Sequence, residues 1–260
     1  MRRRKRHRLL GLLALPLLGY AALCAWMYFQ QRDLVYHPQA TRLDAVHTNF
    51  ELRHDGVTLR GWVVNPGQRD ALVYFGGNAE PVRGMSLRLA EWFPDHTHYV
   101  VAYRGYGASE GEPSEAALLA DGVALFDRAR QQHLTGRISV IGRSLGTGVA
   151  GYVASQRDVD GLVLVTPFDS LVNVAQGHYP WLPVRWLATE RFETQRHLAG
   201  YDKPVLVVRA GRDQVVPPER ADRLAAALPG SRVHDVPEAS HDSVISGADT
   251  VEVIVSFLDR

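Results

Sequence analysis

A five-residue segment constrains the fold of this chain more than any other: Gly142-Arg143-Ser144-Leu145-Gly146. It directly follows the apolar run 138–141 and precedes a stretch of small residues, 147–154, that is typical of a helix. A serine between a strand and a helix lies on a very tight turn, where side chains two positions before and after it would clash. Glycine is therefore needed at both flanking positions. Because the turn directs the hydroxyl away from the sheet, the segment predicts a nucleophilic serine at position 144.

Short apolar runs alternate with longer helical patterns through most of the chain. The predicted strands are Val57–Val64, Ala71–Phe75, Tyr99–Ala102, Arg137–Ile141, Gly161–Val165, Val205–Arg209 and Arg232–Val236. The predicted helices are Pro81–Trp92, Ser114–Gln132, Leu145–Ser155, Pro218–Leu228 and Asp242–Leu258. Several runs are continuously apolar, as expected of strands that are covered on both faces. The alternation predicts an α/β fold with a mostly parallel central sheet, helices on both faces and ligands at the carboxyl ends of the strands.

Two further residues follow predicted strands and complete a catalytic set with the serine. Asp213 lies in the loop after Val205–Arg209, and His241 follows the last predicted strand and is predicted to open the final helix. A serine hydroxyl is a weak nucleophile at neutral pH, so it needs a base to accept its proton and an acid to orient that base. The sequence therefore predicts a Ser-His-Asp triad of Ser144, His241 and Asp213.

Each member of this triad has another interpretation when it is taken alone. Ser144 is also compatible with an ordinary turn serine, Asp213 with a turn former, and His241 with a helix-start residue among eleven histidines. The other acidic candidates near the base are Asp235, Glu238 and Asp242. The first lies inside the last predicted strand, and the other two are too near the histidine in sequence to pair easily with its ring. Three coincidences in this order at strand ends favour the triad.

Acyl transfer also needs hydrogen-bond donors for the oxyanion. One is expected to be the backbone N–H of Leu145, directly after the nucleophile, and the other should come from the loop after an early strand. In that loop Gly76 and Gly77 let the backbone turn inward, which makes the Asn78 N–H the best candidate. The alternative is a plain strand-to-helix turn in which Pro81 begins the helix.

A rival motif and the cysteine count bear on cofactors. Gly146–Gly151 reads G-x-G-x-x-G, but its glycines fall inside the predicted helix instead of at the strand end that a dinucleotide site requires. Cys24 is the only cysteine, so disulfides, thiol catalysis and cysteine-ligated metals are excluded from the remaining chain. No cofactor and no metal are expected.

The first 32 residues differ in composition from the rest of the chain, with a basic cluster followed by an uncharged apolar run. Residues 2–8 hold six of the 29 Lys and Arg and none of the acids, which leaves 23 basic against 28 acidic side chains elsewhere and argues against nucleic-acid binding. Leu9–Phe29 carries no charge, and 21 helical residues would span about 31 Å. Residues 1–32 are therefore predicted to be a transmembrane anchor with a cytoplasmic N-terminus, and residues 33–260 a hydrolase domain on the extracytoplasmic side. A cleaved signal peptide is the alternative, although no good cleavage site follows.

Residues 169–202 interrupt the strand-helix alternation. This segment is rich in aromatic residues and carries two prolines at positions 180 and 183. We expect a small lid insertion over the site, and a packed connecting loop is the alternative.

Together these motifs resemble the α/β-hydrolase superfamily, and more narrowly its membrane-anchored, ABHD-like or serine-aminopeptidase-like group. The motifs that carry the resemblance are Arg32–Pro38, the Arg-Gly-Tyr-Gly loop in Tyr103–Gly111, Pro167–Ser170 and Tyr179–Pro183. The resemblance implies an α/β-hydrolase fold with Ser144 as nucleophile, Asp213 as acid, His241 as base and an oxyanion loop at Asn78. Two positions depart from the group's pattern: Gly76 stands where it commonly has histidine, and Ala102 where it often has aspartate.

The expected activity is hydrolysis of a carboxylic ester or thioester through an acyl-enzyme. Placement near a bilayer and the family resemblance favour a small-molecule or lipid acyl substrate, or an acyl-protein. A serine peptidase or aminopeptidase on the same fold is one alternative. A non-catalytic, membrane-tethered binding protein is the other, although an intact triad argues against it.

Overall fold

The computed structural model describes residues 2–259, with side chains from residue 14 to residue 259. In this part of the chain, one eight-stranded sheet has the order β1-β2-β4-β3-β5-β6-β7-β8. The strands are β1 (Phe50–His54), β2 (Val57–Val64), β3 (Asp70–Phe75), β4 (His96–Val101), β5 (Ile138–Arg143), β6 (Gly161–Val165), β7 (Val205–Ala210) and β8 (Ser231–Val236). β2 pairs antiparallel with β1 and β4, and the other neighbours are parallel. The prediction of a mostly parallel α/β sheet is confirmed.

Helices connect the strands. They are α1 (Arg2–Val35), α2 (Arg83–Trp92), α3 (Glu115–Gln132), α4 (Leu145–Gln156), α5 (Leu171–His178), α6 (Val184–Leu187), α7 (Thr194–His197), α8 (Pro218–Ala226) and α9 (Ala248–Leu258). Short 3₁₀ turns occur at Pro38–Thr41, Ala45–His47 and Val244–Ser246.

The core lies along the central strands. Every residue of β6 is buried, as are all but one residue of β3 and of β5. A strand that is buried on both faces must be covered on both, which explains why these segments are continuously apolar. The edge strands β1 and β8 instead contain exposed residues. The burial gradient therefore follows the sequence pattern. β5 lies near the centre of the sheet, and β7 lies one strand in from the edge.

Two elements differ from the predictions. β1 was not predicted, although Asp55 and Gly56 between β1 and β2 both have positive φ, as a tight two-residue hairpin turn requires. The Asp-Gly pair between two short alternating runs is the signal that identifies such a hairpin. The final helix begins at Ala248, so the prediction that His241 opens it is wrong. His241 lies in a turn before the 3₁₀ segment, and Gly247 in extended conformation separates that segment from α9.

The N-terminal helix does not match the predicted membrane anchor. Within the described residues we find no helix that is both long enough and apolar enough to cross a bilayer. From Ala14, the apolar part of α1 ends at Phe29, a rise of about 24 Å, and residues 30–33 of the same helix are polar or charged. The prediction of a single-pass membrane protein with an extracytoplasmic catalytic domain is therefore wrong. The side chains of the basic cluster and of residues 9–13, on which it also relied, lie outside the described residues.

Residues 169–202 form a helical segment between β6 and β7. It contains α5, α6 and α7, and α7 packs against α4. This packing has a local cause: a Cβ on Gly148 would lie 2.8 Å from Phe192, and one on Gly151 would lie 3.0 Å from Thr194. Two glycines of the rival G-x-G-x-x-G motif thus make room for this segment.

Candidate active site

The turn between β5 and α4 places Ser144 in a strained conformation, with φ 50° and ψ −117°. A Cβ on Gly146 would lie 2.1 Å from the Phe75 carbonyl oxygen, and one on Gly142 would lie 2.5 Å from the Gly146 carbonyl oxygen. Real side chains do not approach backbone atoms so closely, so the predicted need for glycine at both positions is confirmed. Strain of this kind at a single residue is typical of functional sites.

The three side chains predicted as a triad meet at the carboxyl edge of the sheet. His241 Nε2 lies 3.0 Å from Ser144 Oγ, and His241 Nδ1 lies 2.6 Å from Asp213 Oδ2. All three residues are buried. A carboxylate only accepts hydrogen bonds, so Nδ1 carries the proton and Nε2 is left to accept the serine proton. The arrangement has the geometry that a serine nucleophile and its base require.

Asp213 is oriented by the backbone of its own loop. Its Oδ1 accepts hydrogen bonds from the N–H groups of Val215 at 2.9 Å and Val216 at 2.8 Å. These two bonds leave Oδ2 directed at the imidazole. The competing acids are engaged elsewhere: Asp235 pairs with Arg209 and Asp242 with Arg143. Glu238 pairs with Arg212 on the surface.

The two candidate oxyanion donors, Leu145 and Asn78, line the same cavity as Ser144. Among the described residues, no hydrogen bond occupies either backbone N–H. The Asn78 side chain has a separate task, because its Nδ2 donates to the Val35 carbonyl oxygen at 2.5 Å and its Oδ1 accepts from the Tyr106 hydroxyl at 2.7 Å. The side chain thereby ties this loop to the end of α1.

Glu80 supports the loop that contains Asn78, and sequence reasoning missed it. Its Oε2 accepts a hydrogen bond from the Gly77 N–H at 2.6 Å, and its Oε1 accepts one from the Tyr74 hydroxyl at 2.9 Å. Burial raises the pKa of Tyr74 well above its ordinary value, and the charge of Glu80 adds to the effect. The phenol therefore stays protonated and donates. Glu80 therefore supports the loop of Asn78 in this chain, which has Gly76 where the resembled group commonly has histidine.

Arg143 links the loop of Glu80 to the loop of His241. Its Nη1 lies 3.1 Å from Glu80 Oε2, and its Nη2 lies 2.6 Å from Asp242 Oδ1 and 3.5 Å from the His241 carbonyl oxygen. Arg143 directly precedes Ser144 in sequence. One partly buried guanidinium therefore contacts the loops that carry the candidate base and the candidate oxyanion donors, next to the candidate nucleophile.

A cavity of about 400 Å³ opens onto Ser144. Most of its lining comes from the second half of α1, the segment 171–190 and the loop at Val215 and Val216, and the rest consists of His37, Asn78, Ser144, Leu145 and Phe168. The lining from α1 consists of Trp26, Met27, Tyr28, Gln31, Leu34 and Val35. Most of the surface is aliphatic or aromatic. We call α1 residues 26–35 together with segment 171–190 the cavity wall.

Glu190 is the only acidic or cationic side chain, histidine aside, that lines this cavity in the described part of the chain. It is buried, and it accepts hydrogen bonds from the Tyr36 hydroxyl at 2.5 Å, the Arg32 Nε at 3.2 Å and the Glu115 N–H at 2.5 Å. Burial and this carboxylate raise the pKa of Tyr36. Burial also raises the pKa of the adjacent Glu115. The carboxylate of Glu190 is therefore engaged by other groups of the protein, and its contact with Arg32 joins α1 to the segment 171–190.

Comparison with known proteins agrees with this geometry. The family model for serine hydrolases matches residues 113–260, more than half of the chain. An uncharacterized protein of Mycobacterium tuberculosis strain H37Rv is 34% identical over 98% of this chain and 96% of its own length. Protein bem46 of Schizosaccharomyces pombe is 28% identical over 90% of this chain and 87% of its own length. The chain belongs to the serine hydrolase family.

Solved structures define the fold class. The esterase Est1E of Butyrivibrio proteoclasticus with bound ferulic acid superposes with a TM-score of 0.64 at 18% identity, covering 80% of this chain and 95% of its own. At this identity the likeness shows the fold alone. The sheet order, the strained serine turn and this superposition identify an α/β-hydrolase fold, as expected from the sequence.

Proposed function

We propose that this serine hydrolase cleaves carboxylic esters or thioesters of apolar acyl groups through a covalent acyl-enzyme. The observation that carries the proposal is the position of the His241 ring, which lies within hydrogen-bond distance of Ser144 Oγ on one side and Asp213 on the other. This chain of contacts supports a nucleophilic role for Ser144.

The reaction proceeds in two steps. His241 Nε2 accepts the Ser144 proton while Oγ bonds to the acyl carbon, and the carbonyl oxygen becomes an oxyanion held by the N–H groups of Leu145 and Asn78. The oxyanion then collapses, the bond to the alcohol or thiol breaks, and His241 returns the proton to the leaving group. Water repeats the sequence, which releases the carboxylic acid and restores Ser144. Asp213 holds the imidazole in the required tautomer throughout.

The cavity supports an apolar acyl group over the α-amino group that an aminopeptidase must recognise. An ammonium group needs an unpaired carboxylate, and the carboxylate of Glu190 is already engaged by Arg32 and Tyr36. The lining residues of the cavity wall are mainly apolar, which favours a hydrocarbon chain.

The proposal is tested with p-nitrophenyl esters of increasing acyl length, acyl thioesters and amino-acid p-nitroanilides. We expect turnover of the esters or thioesters and about a 10⁴-fold or larger loss of kcat in Ser144→Ala. A fluorophosphonate probe should label the wild-type protein and leave Ser144→Ala unlabelled. Faster turnover of the nitroanilides than of every ester would assign the protein to the peptidases instead. An unlabelled wild-type protein that hydrolyses none of these substrates would overturn the proposed mechanism.

A further inference from the structure

The second half of α1 forms one side of the cavity that opens at the catalytic serine. From Ala14 onward, the α1 residues that are partly buried are Cys24, Met27, Gln31 and Val35. Steps of three and four residues place them on one face of the helix. Met27, Gln31 and Val35 also line the cavity, whereas Phe29 is 79% exposed. This face of α1 is therefore turned toward the site.

Contacts at both ends of this face orient α1 relative to Ser144. At the near end, Asn78 Nδ2 donates to the Val35 carbonyl oxygen, and Asn78 lies in the same cavity lining as Ser144. At the far end, the Tyr20 hydroxyl donates to the Trp181 carbonyl oxygen at 2.7 Å. Met27 lies eight residues before Val35, about 12 Å along the helix axis. The helix therefore leads away from the reacting atoms, and Met27 lies well beyond its near end.

Polar contacts at the C-terminal end of the helix keep it against the segment 171–190. The Gln31 Oε1 accepts a hydrogen bond from the Thr189 N–H at 2.7 Å, and Arg32 and Tyr36 both donate to Glu190. Thr189 and Glu190 are neighbours, so three bonds join the end of α1 and the residue that follows it to one short stretch of chain. These bonds hold the apolar side chains of α1 in place as cavity lining.

We propose that α1 is the acyl-length ruler of this enzyme, with Met27 limiting how far an acyl chain extends from Ser144. The inference rests on the proposed function and adds its substrate class: esters of medium or long hydrocarbon chains that lie along the inner face of α1. Short acyl groups end near Val35 and do not reach Met27. Long ones bury methylenes against Met27, and the burial of apolar surface stabilises their binding.

The test compares Met27→Trp and Met27→Ala with the control Phe29→Trp in the full-length protein. The control adds aromatic bulk on the same helix at a position that does not line the cavity. We measure kcat/KM for p-nitrophenyl acetate, butyrate, octanoate, decanoate and dodecanoate, and the thermal midpoint of each variant. Met27→Trp should lower kcat/KM for the long esters about tenfold or more and change the acetate value less than about twofold. Met27→Ala should shift the optimum to longer chains, and Phe29→Trp should leave the profile unchanged.

Two outcomes contradict the ruler while leaving the proposed function intact. One is an unchanged length profile in both Met27 variants. The other is an equal loss for acetate and decanoate in folded Met27→Trp, which would indicate damage at the site itself. If no ester is turned over, alkyl fluorophosphonates of short and long chain give a second readout. The rate of labelling by the long probe alone should fall in Met27→Trp, and equal rates in wild type and variant would refute the ruler.

Discussion

The carboxyl edge of the sheet and the cavity wall face the same space but are built differently. At the sheet edge, buried side chains of Ser144, Asp213 and His241 are held by the loops that follow β5, β7 and β8. The cavity wall consists of α1 and short helices joined by a few polar bonds, some of them partly exposed. Under the proposed function this difference separates two tasks: the sheet edge would perform chemistry on any acyl group, and the wall would select which acyl groups reach it. Changes at the edge should therefore affect all substrates alike, and changes in the wall should depend on acyl length.

The largest effect is expected from Asp213→Asn at the sheet edge. The amide no longer stabilises the imidazolium and allows the wrong tautomer of His241, so kcat should fall by about 10³–10⁴-fold for short and long esters alike. Steady-state kinetics with acetate and decanoate esters measure this. The matched control is Asp235→Asn. The Asp235 carboxylate pairs with Arg209, so this substitution should leave kcat nearly unchanged. A larger loss of kcat in Asp235→Asn than in Asp213→Asn would show that Asp213 is not the acid that orients His241.

The sheet behind the edge should respond to acid through His98 in β4. This side chain is fully buried, and its burial lowers the pKa to about 4, with a further contribution from His96. The unfolded chain takes up the proton near pH 6.5 and the folded chain only near pH 4, so stability is present above pH 6.5 and is lost as the pH falls to about 4. The loss should amount to about 3 kcal/mol.

Urea unfolding at several pH values measures this dependence. His98→Gln should flatten the curve between pH 6.5 and 4. His96→Gln on the same strand, where the side chain is partly exposed, should preserve most of the dependence, because burial is the larger cause of the shift. An identical slope in wild type and His98→Gln would show that other groups cause the acid sensitivity.

A smaller effect at the sheet edge is expected from Glu80→Gln. The amide oxygen still accepts the Gly77 N–H, but the ion pair with Arg143 is lost and the oxyanion loop is held less firmly. We expect about a tenfold decrease in kcat, equivalent to about 1.4 kcal/mol, with little change in KM and the same factor for every acyl length. The exposed Glu112→Gln serves as a control. A change in KM confined to long esters would place Glu80 among the determinants of the wall instead.

The smallest effect is expected from Arg32→Ala in the cavity wall. The Arg32 side chain is 60% exposed, and such ion pairs contribute at most about 1 kcal/mol. KM for decanoate should rise about twofold to threefold, while kcat for acetate stays unchanged. Arg42→Ala, an arginine outside α1, is the control. Equal effects on both esters would remove the distinction between edge and wall.

Local patterns in the sequence determined the sheet, the serine turn and the candidate triad residues. Glycine flanks, continuous apolar runs and strand ends depend on near neighbours and on periodicity, so Ser144, Asp213 and His241 could be predicted without a fold. Only the tertiary structure decided how these parts are supported. Arg32 and Glu190 are 158 positions apart, and nothing local in either segment indicates the contact.

The N-terminal helix shows the same limit most clearly. Its apolar composition was compatible with several environments, and its length and basic flank suggested a bilayer. In the folded protein one face of its second half lines the cavity and bonds to Thr189 and Glu190. Composition determines that a helix has an apolar surface to bury. What covers that surface depends on the free energy of contacts between distant segments, which only the folded chain brings together.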